Sequence, residues 1–325
     1  MKSRYLPRLL VLLLGIAQGS AILAQAPAMT GPFRVIVGFP AGGAEDVLAR
    51  VLADKLEDEL KAPVIVENRS GAGGQLAAVY VRGALPDGLT VLLANTHMMV
   101  MAPLTRRRNR FDPLQDFHAV GRAASYHEAI AMPADLPAAS VSEWLDGARG
   151  DDRKASYGVP APGSVSQFIG YRLGRDHRTD LRAVPYRGGA PLARDLAGGH
   201  IPAGIVPASD LLPYYRAGKL KILAVNGARR AILLPGVPTL KELGLPHFDS
   251  LEWNGLFVPQ GTPHGVIAQW NSALAKVLAS GDIKGQLLKI GMEADPSTPD
   301  ALQAQLVDDR ARWGPVIEAS GFTMD

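Results

Sequence analysis

An apolar run that breaks into glycines and restarts at once as a helix restricts a chain more tightly than its composition does. Residues 34–50, RVIVGFPAGGAEDVLAR, have that form. Val35-Ile36-Val37 reads as a buried strand, Gly38-Phe39-Pro40-Ala41-Gly42-Gly43 as a turn, and a helical pattern follows. Val47, Leu48, Val51, Leu52, Leu56 and Leu60 mark one face of that helix, with Lys55, Glu57, Asp58 and Glu59 mostly elsewhere. The unit then recurs. Pro63 opens a strand at 64–66, ENRSGAGG is a turn, and 75–82 looks helical. PDGLTVLLAN is a turn feeding a buried strand at 90–94. Further apolar runs stand at 222–225 and 256–258. Val266, Ile267, Trp270, Leu274, Val277 and Leu278 trace another helical face, and Thr298-Pro299 caps a last helix carrying Leu302, Leu306 and Trp313. Alternating strands and helices predict mainly parallel sheets covered by helices. One looser echo, YGVPAPGSVSQFIGYRLG at 157–174, again sets a Gly/Pro/Ser turn before a helical pattern. Two α/β domains could therefore face each other, each offering a glycine-rich turn.

The N-terminus has the three-part layout of a secretory signal peptide. Lys2, Arg4 and Arg8 precede an apolar stretch at 9–14 that continues through Ile16 and Ala17, and Ala24-Gln25-Ala26 is a candidate cleavage site. The signal peptide is taken as residues 1–26, although Pro27 disfavours that cut and one after Ala28 is possible. The apolar stretch is shorter than the roughly 20 residues of a membrane span. Export to the periplasm is the expectation. The remaining chain, about 300 residues, is more than one core usually serves, so two domains are expected. With no cysteine, disulfides, thiol chemistry and a lipid-modified cysteine are all excluded. A formal charge of +3 does not argue for nucleic acid. The densest basic run, Arg106-Arg107-Arg108, reads as a solvated loop, with docking to an acidic surface or anionic lipid as its alternative.

The familiar catalytic patterns are missing. GFPAGG has no lysine or hydroxyl where a nucleotide phosphate and its magnesium would need one, and GAGGQL lacks the third glycine of a dinucleotide fingerprint. No G-x-S-x-G elbow appears. The seven histidines form no H-E-x-x-H pair and no close cluster; His97 stands out only because it follows a strand end. The glycine turn offers bare backbone. Glycines let main-chain N–H groups approach a ligand, and a helix start adds unpaired donors and positive potential. A carboxylate there could gain roughly 1.5–3 kcal/mol per well-made hydrogen bond. Such a site suits reversible capture of a small acid and supplies neither nucleophile nor base. Glu45 and Asp46 would repel an anion if they pointed at it, so Asp46 is expected to bind backbone N–H groups and fix the loop.

At this point the chain resembles a known family, the periplasmic solute-binding proteins of tripartite tricarboxylate transporters, often called the Bug family. The resemblance runs through nearly the whole mature chain. It is carried by VGFPAGGAEDVLAR, PVIVENRSGAGG, PDGLTVLLANT, FDPLQDFHAVG, SYGVPAPGSVSQFIG, VPYRGGAPLARDLAGGHI, LPYYRAGKLKILAV, LPGVPTLKELG, WNGLFVPQGTP and ASGF, in that order. The resemblance implies a two-lobed α/β fold of the type II-like periplasmic-binding-protein kind, with a ligand cleft between lobes joined by two crossing strands. Lobe one is expected to hold residues 30–124 and 251–325, and lobe two residues 125–250. The resemblance further implies capture of a small carboxylate, an organic or aromatic acid. The solute would pass to membrane subunits of the transporter or to a sensor protein, with the protein acting as a monomer. No cofactor, metal, catalytic residue or nucleic-acid partner is implied. A secreted α/β enzyme acting on a small acid, or a sensor without a transporter, are the alternatives.

The family's ligand contacts map onto Phe39, Pro40, Ala41, Gly42, Gly43 and Asp46 in the first turn, and onto Asn95, Thr96 and His97 after the third strand. In the second lobe they map onto Gly158, Gly163, Ser164 and Ser166, then Tyr186, Gly188 and Gly189, with Val206 and Pro207 as a wall. Two departures stand out. Ser166 and Gln167 occupy a region where the family often has histidine. GGHIPAGIVPA replaces a family stretch with two acids, putting Pro202 and Val206 in their places. A wall without an acid leans towards a carboxylate with an apolar or aromatic body, unless another acid such as Glu252 substitutes.

Overall fold

The computed structural model describes residues 31–324 apart from Asp152; the expected signal peptide lies outside the described residues. The chain begins with strand β1 (Phe33–Val37), in which all but Arg34 are buried, and helix α1 (Ala44–Leu60). Leu48, Ala49, Leu52, Ala53 and Leu56 give α1 one buried face, and the helix ends at Lys61 in the left-handed conformation. Strand β2 (Val64–Asn68), helix α2 (Gln75–Arg82) and strand β3 (Thr90–Asn95) follow, β3 being buried throughout. A π-helical turn at His97–Met101 runs into the short helix α3 (Ala102–Thr105). Strand β4 (Phe117–Tyr126) then crosses out of the first sheet, and after His127 the chain continues as β5 (Glu128–Pro133) in the second.

Helix α4 (Val141–Ala148), strand β6 (Ser156–Val159), helix α5 (Val165–Asp176), strand β7 (Arg182–Pro185) and helix α6 (Gly189–Ala197) build the second sheet and its cover. Strand β8 (Ala203–Pro207), helix α7 (Ala208–Arg216) and strand β9 (Leu220–Val225) complete it. Strand β10 (Glu252–Pro259) returns to the first sheet, followed by helices α8 (His264–Ala279) and α9 (Gly281–Lys289), the short strand β11 (Glu293–Ala294) and helix α10 (Pro299–Ser320). Thr298 caps α10, its hydroxyl accepting from Ala301 N, and Pro299 stands in the first turn as its sequence pattern requires.

The two sheets have the orders β11-β4-β10-β3-β1-β2 and β7-β6-β8-β5-β9. The expectation of mainly parallel sheets is met only in part. β1 with β2 and β3, and β6 with β7 and β8, are parallel. Every strand-to-strand pairing made by the crossing strands β4, β5, β9 and β10 is antiparallel, apart from one isolated parallel bridge between Val225 and Thr239. A strand that leaves one lobe and returns must re-enter beside its neighbours in the opposite sense, and periodicity does not reveal direction.

Apolar packing divides into three clusters. One backs the outer face of the first sheet with α1, α8 and α9, where Trp270 meets Phe33 edge-on at 5.2 Å and donates from Nε1 to Gly88 O at 2.8 Å. Another backs the second sheet with α6 and α7. The largest runs through both lobes. The chain's end helps to join them: Phe322 stacks edge-on against Phe168 of α5 at 5.7 Å, and Tyr171 Oη donates to Ala319 O at 2.7 Å. Where the lobes meet at the crossings, Asn226 N donates to Glu128 O, Glu128 N donates to Asn226 Oδ1, and Asn226 Nδ2 donates to Ser250 O. Among the described residues no helix is long and apolar enough to cross a membrane.

Candidate functional site

In sheets of this kind, ligands bind beyond the carboxyl ends of the parallel strands. The turns after β1, β3, β6 and β7, and the end of β8, all hold residues singled out in the sequence. The first turn is built around Asp46, which is buried at 3% exposure. Its carboxylate accepts from Gly42 N at 2.8 Å, from Asn68 Nδ2 at 2.9 Å and from Arg50 Nε at 3.0 Å. Asn68 Nδ2 also donates to Phe39 O. The Arg50 hydrogen bond leads the forces that hold the Asp46 carboxyl down to about 2. Asp46 is thus committed to shaping the turn. Pro40, Ala41 and Gly42 form its exposed rim, and Phe39 packs inward against the apolar core. Gly42 has φ +80°, a conformation that favours glycine, whereas Gly43 has φ −73° and acts as the N-cap of α1. The Gly42 and Gly43 amides are engaged, Gly42 N with Asp46 and Gly43 N with Pro40 O at 3.1 Å, and no side chain caps the start of α1 beyond them.

Asn95 ends β3 and holds two partners: its Nδ2 donates to Glu45 Oε1 at 2.7 Å, and its Oδ1 accepts from Met98 N at 2.9 Å. The Thr96 hydroxyl accepts from Trp253 N at 2.9 Å and so ties this loop to β10. The His97 ring stands against Gly73, and burial followed by the nearby Arg106 charge hold its pKa down to about 4. It is neutral at physiological pH. Arg106 pairs through its backbone with the C-terminal segment at Met324, while Arg107 and Arg108 are exposed as the loop reading expects.

In lobe two, Ser164 caps α5 by accepting from Gln167 N, and Gly163 N donates to Gln167 Oε1 at 2.8 Å. Gly163 has φ +71° and faces Phe322 and Met324, side chains of the C-terminal segment. Ser166 is fully buried, and its hydroxyl donates to Glu128 Oε2 at 2.8 Å. Gly158 makes room for Leu192, whose Cδ1 lies 2.1 Å from where a Cβ would stand, and for the ring edge of Tyr186. Gly188, at φ +110°, N-caps α6 and donates to Pro160 O. Gly189 lies under the Asp210 carboxylate, with Oδ2 only 2.0 Å from a hypothetical Cβ. Val206 is fully buried in the cluster behind Gly189, and Pro207 leads into α7. Val206 therefore packs in the core of lobe two, and its Cγ2 stands against Gly189 beside the Asp210 carboxylate.

Asp210, Tyr126, Glu128 and the inward turn of Glu45 were not singled out from the sequence as ligand contacts. A signal was present: Glu45 and Asp210 each stand in the first turn of a helix that follows a strand, after a glycine turn for Glu45 and directly for Asp210. Burial raises all the cleft acids. It lifts Asp210 to about 6, with Glu45 adding repulsion, and lifts Glu128 to about 8 despite the Ser166 hydrogen bond. Burial likewise raises Glu45 and takes Glu252 well above the usual carboxylate range.

Two α/β lobes linked by crossing strands, with uncapped helix starts and glycine turns at the strand ends of both, define a two-lobed periplasmic binding protein. The chain belongs to the tripartite tricarboxylate transporter family of receptors, whose family model matches residues 48–322. It is 33% identical over 289 residues to a protein encoded in the gbd 5′ region of Cupriavidus necator, covering 86% of this chain and 87% of that one. Among solved structures, an adipate-bound protein of R. palustris superposes with a TM-score of 0.78 at 31% identity, covering 90% of this chain and 98% of its own. MatC of Rhodopseudomonas palustris with bound malate superposes with a TM-score of 0.75 at 28% identity, covering 88% and 98%. The family is one of solute-binding receptors, not enzymes, which removes the enzyme alternative.

Proposed function

We propose that the chain is exported to the periplasm through a cleaved signal peptide and captures a small carboxylate between its lobes as a monomer. It then delivers the solute to the membrane subunits of a tripartite tricarboxylate transporter. The observation that carries this reading is the start of α1, which no side chain caps, behind the Gly42-Gly43 turn, in a fold whose relatives hold malate and adipate. On this reading lobe one comprises residues 30–124 and 251–325, and lobe two residues 125–250. The ligand contacts are Phe39 to Gly43 and Asn95 to His97 from lobe one, and Gly163, Ser164, Tyr186, Gly188 and Gly189 from lobe two. Closure follows from contacts that a ligand makes to both lobes only when they approach. Mass spectrometry of solute released from denatured protein identifies the ligand, and calorimetric titration with that compound measures its affinity. A carboxylic acid that binds and compacts the protein in small-angle scattering is the expected result. A released solute without a carboxyl group would refute the reading.

A further inference from the structure

Helix α10 packs on β4 of the first sheet, yet its far end reaches the other lobe. Three contacts run in step along α5 towards the lobe-two turn. Tyr171 Oη donates to Ala319 O at 2.7 Å, the Phe168 and Phe322 rings meet edge-on at 5.7 Å, and Met324 and Phe322 stand over Gly163. A Cβ at Gly163 would lie 3.1 Å from Met324 Cε and 3.2 Å from Phe322 Cε1, so turn and segment are in direct contact. The turn is fixed to its own helix, because Gly163 N donates to Gln167 Oε1 and Ser164 caps α5. What holds α5 here therefore also holds the turn.

The other side of the same segment is held by lobe one, through the main chain. Gly321, at φ +66°, ends α10 and redirects the chain. Met324 N then donates to Thr105 O at 2.7 Å, Arg107 N donates to Met324 O at 3.4 Å, and Arg106 pairs with Met324 as an isolated parallel bridge. Residues 105–107 continue directly from the π-helical turn and α3 that begin at His97. A few residues thus touch both the Gly163 turn of lobe two and the loop that starts at His97 in lobe one. The two attachments differ in kind. Backbone hydrogen bonds fix direction and register on the lobe-one side. Apolar contact on the lobe-two side is non-directional and separates more readily. When the lobes part, the segment stays with lobe one and α5 leaves it.

We propose that residues 321–324 form a strap across one side of the cleft: Phe322 and Met324 are positioning residues that seat the Gly163 turn against the loop after His97 and set how far the lobes stand apart. None of these contacts involves a solute, so the strap acts on the empty protein and keeps the two turns near each other before a ligand arrives. Opening breaks the contacts of Phe322 with Phe168 and of Met324 with Gly163. The equilibrium is biased towards the spacing seen here by the strength of those contacts. The inference is independent of the ligand's chemical class, and the carboxylate reading stands or falls apart from it.

The test uses the absence of native cysteine. Spin labels are placed on exposed helix positions, one at Asp54→Cys in α1 and one at Ser142→Cys in α4. Pulsed electron paramagnetic resonance of protein dialysed free of solute reads the distance between lobes, and hydrogen exchange of residues 160–168 reads the turn. Phe322→Ala with Met324→Ala should move the mean distance outward and broaden its distribution. Exchange at the turn should quicken roughly tenfold, the factor that loss of one edge-to-face aromatic contact accounts for. Tyr171→Phe, which removes only the bond to Ala319 O, should give a smaller shift in the same direction. Phe322→Leu, which keeps apolar bulk, should restore most of the wild-type distribution. Phe322 and Met324 are both half-buried, so the double variant is expected to fold; if it does not, Met324→Ala alone decides by the same two readouts. A lower melting temperature with distances and turn exchange unchanged overturns the inference and leaves residues 321–324 as cover for α5.

Discussion

Glu45 and Asp46 are neighbours in the first turn of α1, yet they belong to opposite electrostatic regions. Behind the turn, Asp46 is met by Arg50, Asn68 and the Gly42 amide, and its carboxyl is held down to about 2. In front of it, Glu45 has only Asn95 as a side-chain partner, and burial raises it. The same contrast separates whole regions: the acids that shape the fold have cationic or amide partners within the chain, and the acids of the cleft repel one another. Carboxylates that build a structure are satisfied by that structure. Those of the strand-end cleft have neutral partners, Asn95 on Glu45 and Ser166 on Glu128.

The largest effect expected from breaking this contrast is Asp46→Ala. It leaves the Gly42 and Asn68 amides and the Arg50 guanidinium without their acceptor, and should cost roughly 2–3 kcal/mol of stability. Denaturant titration measures it; a loss below about 0.5 kcal/mol would mean that Asp46 does not hold the turn. Next comes the turn itself. Positive φ lies at Gly42, and a Cβ there meets nothing within 4 Å, so Gly42→Val should cost only backbone strain, about 1–3 kcal/mol. Calorimetry with the released ligand should show affinity falling more than tenfold; wild-type affinity in a folded variant would remove this turn from the site.

The contrast also has a pH signature. Asp210 and Glu128 are raised, to about 6 and about 8, so the folded protein keeps protons that the unfolded chain releases from about pH 4 upward. Their contribution is full below that point and is lost as pH rises through 6 and then 8. Asp46 is lowered, so its contribution is present above about pH 4 and is lost as pH falls towards 2. Ligand-free protein should therefore melt highest in mildly acidic buffer and lower at pH 8. A melting temperature that climbs steadily from pH 5 to pH 8 would contradict the raised cleft acids. The smallest effect belongs to lobe two, whose loop is held by neutral groups. Ser164→Ala removes the cap of α5 and should cost about 1 kcal/mol, with little change in the first turn's contribution to affinity.

Much of the architecture was legible in the chain because it depends on local pattern. The glycine turn between Val37 and Ala44, the buried face of α1, the Thr298-Pro299 start of α10 and the ordered family segments all report interactions within a few residues, or within one element. The anchoring role of Asp46 was legible for the same reason, since the Gly42 amide is only four residues away. Tertiary structure decided three things. Strand direction at the crossings was one, because hydrophobic spacing is the same for parallel and antiparallel neighbours. The placement of Val206 was another: alternate residues of a strand point to opposite faces, and only the packed sheet shows which face is core. The last was the grouping of Glu45, Tyr126, Glu128, Asp210 and Glu252. These residues are scattered along the chain, and nothing in their local sequence records that folding brings them together. Their electrostatic state depends on depth of burial and on what surrounds them, and both are properties of the assembled lobes.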